Sequence, residues 1–135
     1  MWVETIKLDQ LSRGSRKVVQ AANGKQIILL WYQQEIRAFD SQCPHLGISL
    51  DDGELRKTDN GPTLMCKQHK SVFSLDNGEP VEWLPGDYFN KLQRMVSPPT
   101  CLEVYPVKVK DGAIFVDLAE ASLGRGSYKS YTQDN

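Results

Sequence analysis

The chain has 135 residues, 40% hydrophobic and 24% charged, enough for one domain with its own apolar core. Its formal net charge of -1 excludes a strongly basic nucleic-acid binder. The longest apolar run, Ile27 to Tyr32, falls far short of the roughly 20 residues of a spanning helix, so no direct membrane insertion is expected.

At the start, Met1-Trp2-Val3-Glu4 lacks a basic stretch followed by an apolar core. No secretory signal is therefore expected, and the cytoplasm is the expected location. Thr5 to Leu8 and Lys17 to Ala21 read as strands. Asn23-Gly24 is a hairpin signal leading to Gln26 to Tyr32, whose continuous apolar run predicts a buried strand. Glu35 to Phe39 predicts another strand, running into a loop that begins at Cys43. Glu54 to Lys57 and Thr63 to Met65 flank a turn at Asn60-Gly61-Pro62 and deliver the chain to Cys66. Val72 to Leu75 leaves this second loop and turns at Asn77-Gly78.

Residues 84–99, with Pro85-Gly86, Tyr88, Phe89 and Pro98-Pro99, interrupt the strand rhythm and read as an insertion, either a surface loop or a partner-docking segment. Asp111-Gly112 closes a last hairpin between Tyr105 to Lys110 and Ala113 to Leu118. The polar stretch 119–135 offers no apolar face and is expected to be a flexible tail. Together these signals predict an all-β fold with a single domain over residues 1–118.

The chemistry resides in two short motifs. Cys43-Pro44-His45 and Cys66-Lys67-Gln68-His69 use both histidines and two of the three cysteines. Zinc and iron–sulfur sites both accept thiolate and imidazole, but the tight Cys-x-His spacing is unusual for a zinc finger, whose pairs are normally Cys-x2-4-Cys and His-x3-5-His. One thiolate and one imidazole from each loop suit two adjacent metal ions, as in a Rieske centre, where two histidines replace two cysteines on one iron. A single zinc ion held by the same four residues is the rival reading. Cys101 has no ligand motif around it and reads as a small buried hydrophobe.

Residues 43–53, Cys43-Pro44-His45-Leu46-Gly47-Ile48-Ser49-Leu50-Asp51-Asp52-Gly53, resemble the C-P-H-x-G-x-x-L-x-x-G loop of Rieske ferredoxins and of the Rieske domains of ring-hydroxylating oxygenases. In the second loop, residues 66–78, Cys66, His69, Phe73 and Gly78 are similar to the family's C-P-x-H-G-x-x-F-x-x-x-x-G, and Leu102 to Val107 looks like its closing strand. Lys67 stands where Pro is usual, and Lys70 where Gly is usual; Gly permits backbone angles that Lys resists.

The resemblance implies stacked antiparallel sheets with a small cluster-binding subdomain formed by the two hairpin loops. It also implies one [2Fe–2S] cluster, with Cys43 and Cys66 on the inner iron and His45 and His69 on the outer. Ser71 matches a serine that hydrogen-bonds a bridging sulfide in high-potential members, against the alternative of an ordinary loop hydroxyl. Phe73 replaces their tyrosine, Gly47 is the glycine of the first motif, and the resemblance implies that Ser71, Phe73 and Gly47 surround the cluster and tune its potential. Ile48 and Gln68 occupy the positions of the extra cysteines in bc-type proteins, so that disulfide cannot form here.

Both histidines are committed to the cluster, which leaves none for the two-histidine, one-carboxylate iron site of an oxygenase. No Gly-rich dinucleotide fingerprint is present. The expectation is an electron-transfer protein, not an enzyme, that passes single electrons between a reductase and a terminal acceptor such as an oxygenase. A second reading is a binding or regulatory subunit, resembling the small subunit of nitrite reductase, in which the cluster or a zinc ion is structural.

Overall fold

The computed structural model describes residues 2–21, 24–43, 49–59, 61–67, 70–82, 101–118 and 131–132, the last two by backbone alone. The insertion at 84–99 lies outside them. The strands are β1 (Trp2–Lys7), β2 (Arg16–Gln20), β3 (Gln26–Tyr32), β4 (Glu35–Asp40), β5 (Glu54–Thr58) and β6 (Gly61–Met65). They continue with β7 (Val72–Ser74), β8 (Pro80–Glu82), β9 (Val104–Tyr105), β10 (Val107–Lys110), β11 (Ala113–Asp117) and β12 (Tyr131–Thr132). All described pairings are antiparallel and form three sheets, ordered β1-β11-β10, β12-β4-β3-β2 with β9 also on β4, and β5-β6-β7-β8. Among the described residues no helix is long and apolar enough to cross a membrane.

The middle sheet explains the apolar run of β3. A strand alternates its side chains between two faces, and here both faces are covered. Ile27, Leu29 and Trp31 join Ile36, Ala38, Tyr105, Val107, Ile114 and Val116 in one core, against the β1-β11-β10 sheet. Ile28 and Leu30 join Phe39, Leu64, Phe73, Leu75, Leu102 and Val104 in a second core, against the β5–β8 sheet. Each fully buried Leu, Ile or Phe contributes about 1.5–3 kcal/mol relative to its exposed state.

Two strand boundaries differ instructively from the sequence reading. Tyr105 to Lys110 is not one strand. It splits at Pro106, which has no N–H to give to a ladder. Val104 and Tyr105 pair with Phe39 and Ala38 in the middle sheet, whereas Val107–Lys110 pairs with β11 in the first. Strand β8, starting at a proline, lies at an edge where an absent N–H costs little.

The tail reading needs correction at Tyr131–Thr132, which pair with Ile36 and Glu35 on β4 instead of hanging free. Main-chain ladder bonds need no apolar stripe, and the edge of β4 offers unpaired backbone groups there. The rest of 119–135 lies outside the described residues.

Candidate metal centre

The first loop is closed at its neck by backbone and side-chain bonds. Asp40 Oδ1 accepts from the Gln42 N–H at 3.2 Å. Gln42 forms a bridge with Ser49, and the Leu50 N–H donates to the Ser41 carbonyl at 2.8 Å. Cys43 therefore stands just inside a pinched loop, 2% exposed, in the second core. A tight turn follows, in which the Gly53 N–H donates to the Leu50 carbonyl at 3.0 Å.

Gly53 brings the two loops together. A Cβ at this position would lie 2.9 Å from the Met65 carbonyl oxygen and 3.2 Å from that of Leu50, so only glycine lets the first loop rest on the end of β6. The next residue along β6 is Cys66, 1% exposed and in the same core as Cys43. The second loop is closed by the Cys66 N–H donating to the Ser71 carbonyl and the Lys70 N–H donating to the Cys66 carbonyl, both at 2.8 Å.

Lys70 has φ +67°, in the left-handed region that favours glycine. Ser71 and Phe73 are fully buried, and Phe73 packs in the core that holds both cysteines. His45, Gly47 and His69 lie outside the described residues. Cys101 is half-buried, in contrast to the buried hydrophobe expected, because its neighbour Leu102 takes the core position.

Leu102 is held by Gly78. The Leu102 N–H donates to the Gly78 carbonyl at 2.8 Å, and a Cβ on Gly78 would fall 1.9 Å from the Leu102 oxygen.

The sequence reading missed two polar networks beside the loops. Arg37, 7% exposed, sends Nε and Nη2 to Asp76 Oδ1 at 3.1 and 2.9 Å, while Nη2 also meets Glu35 Oε2 at 2.6 Å. This ties β4 to the turn between β7 and β8. Its sequence signal was a lone charge in the otherwise apolar Ile36-Arg37-Ala38-Phe39. In the second network, Lys25 Nζ lies 3.4 Å from Asp40 Oδ2 and 3.6 Å from Glu103 Oε2, and the Tyr105 hydroxyl donates to Glu103 at 2.6 Å. Asp40 thus shares one cation with Glu103 at the first loop's neck, and Glu54 pairs with Arg56. Asp51 and Asp52 remain exposed on the turn.

The donor set described fits an iron–sulfur centre. Two cysteines from separate loops are buried in one apolar core, where an ionised thiolate is costly unless a metal compensates it.

Comparison with known proteins agrees with this reading. The Rieske [2Fe-2S] domain model matches residues 1–92, and the chain belongs to that family, which carries a single cluster of this type. The chain is 32% identical, over 79% of its length and 84% of the relative's, to the 3-phenylpropionate/cinnamic acid dioxygenase ferredoxin subunit of Photorhabdus laumondii. It is 27% identical to the alkene monooxygenase system ferredoxin component of Xanthobacter autotrophicus, over 85% of this chain and 80% of that one. In fold it matches a chain from the complex of reduced oxygenase and oxidized ferredoxin in carbazole 1,9a-dioxygenase, with a TM-score of 0.61 and 19% identity over 95% of this chain and 97% of that one.

Proposed function

We propose that this protein is the ferredoxin component of an oxygenase-type system, taking single electrons from a reductase and passing them to a terminal oxygenase in the cytoplasm. The observation that carries the reading is the burial of Cys43 and Cys66, from two loops of family-type sequence, in one apolar core. Cys43 and Cys66 would hold one iron as thiolates, and His45 and His69 the other as imidazoles. When bound, the cluster supplies reversible one-electron storage. The chain's own part is to fix the thiolates through the bonded loop necks and to exclude water with Leu50, Leu64, Phe73 and Leu102. The named relatives are ferredoxin components, which favours a carrier over a structural subunit. Residues 1–118 form the working unit, with loops 43–53 and 66–78 as its centre.

The test is the anaerobically purified protein. It should be coloured and contain about two irons and two sulfides per chain. His45→Ala or His69→Ala should abolish the Rieske spectrum, and Cys101→Ser should leave it intact. A colourless protein with stoichiometric zinc would refute the assignment.

A further inference from the structure

Lys70 is a bulky, charged residue held in a backbone conformation that glycine adopts without strain. The cost is local and would be removed by a single substitution. Strain retained beside a functional centre points to a use for the side chain that causes it. Lys67 and Lys70 are both exposed and occupy opposite ends of the loop that follows Cys66. Neither forms an ion pair with a described residue. Of the carboxylates around the first loop, Asp40 shares Lys25 with Glu103 and Glu54 pairs with Arg56, while the exposed Asp51 and Asp52, like the two lysines, form no ion pair with a described residue.

We infer that Lys67 and Lys70 form a cationic docking point for an acidic surface on the redox partner, and that Lys70 keeps its strained place for that charge. The inference rests on the carrier reading and adds the chemistry of the partner's contact surface. Electron transfer requires the partner to approach the loops that hold the centre. A cation pair on one of those loops governs that encounter more strongly than the whole-chain charge of -1. The whole-chain charge and the exposed Asp51 and Asp52 predict the opposite preference, so the sign of the effect decides the matter.

The probes are two small oxidants of opposite charge, ferricyanide and hexaamminecobalt(III), mixed by stopped flow with the reduced holoprotein. In each reaction one electron leaves the protein and reduces one metal complex, with no bond or proton transferred. Ferricyanide should react several-fold faster at about 0.01 M than at about 1 M ionic strength, and the cobalt complex should show the reverse trend. Lys70→Gly and Lys67→Gln should each flatten the ferricyanide dependence, whereas Lys70→Arg should retain it.

A readout independent of electron transfer is the melting midpoint, which Lys70→Gly should raise by about 2–6 °C as the strain is relieved. A preference for the cobalt complex, an unchanged salt dependence in Lys70→Gly, or a lowered midpoint would overturn the inference while leaving the carrier reading intact. Absence of the two-iron chromophore would overturn both.

Discussion

Two glycines with positive φ show how differently one residue type can matter. Gly78 has φ +79°, and a Cβ there would collide with the Leu102 carbonyl at 1.9 Å; Gly112 has φ +75°, but no described atom lies within 4 Å of its would-be Cβ. Gly78→Ala should cost about 3 kcal/mol or more, and Gly112→Ala only about 1 kcal/mol, the price of the left-handed backbone alone. Urea denaturation followed by tryptophan fluorescence would separate the two. Ser71 and Phe73, both fully buried and both within residues 66–78, test a second residue-level effect. Donors to sulfur favour the more negative reduced cluster. Phe73→Tyr should therefore raise the reduction potential and Ser71→Ala lower it, as read by protein-film voltammetry. The unaltered protein should fall toward the lower end of the roughly −150 to +300 mV Rieske range.

Among the elements, β4 carries the most varied duties. Its Ile36 and Ala38 face one core and Phe39 the other, while Arg37 reaches Asp76 in the turn between β7 and β8. Asp76→Asn should destabilise the fold by about 1–3 kcal/mol, because it weakens a charged partner of a buried guanidinium that still retains Glu35. The loss should appear in cluster absorbance at lower urea concentration than in the unaltered protein. The opposite edge of β4 receives Tyr131 and Thr132. Truncation after Leu118 removes this pairing and should lower stability by no more than about 1–2 kcal/mol, leaving the absorption spectrum unchanged. Thermal melts of the full and shortened chains would show it.

At the scale of the whole molecule, much was legible in the sequence because its cause is local. Gln26 to Tyr32 reads as a buried strand from composition alone, and β3 has those bounds. The two loops that carry Cys43 and Cys66 are visible from residue spacing, and both cysteines lie buried in one core. What escaped is non-local. Pro106 signals a break but not a change of sheet, and the edge pairing of residues 131–132 is made by backbone groups common to every residue. Nothing adjacent to Arg37 in sequence announces Asp76, 39 positions away. The close contacts at Gly53 and Gly78 depend on strands brought together only by folding.

The two-faced β3 also bears on how the protein is matured. The half built on β5–β8 has no floor of its own, since Ile28 and Leu30 belong to a strand whose other face packs against the β1-β11-β10 sheet. Iron and sulfide would then be delivered to a base already folded, with only the loop side left to close. Emptying the centre should loosen amide hydrogen exchange through β5–β8 while the amides of β3 stay protected, so that a chain stripped of its metal remains ready to be refilled.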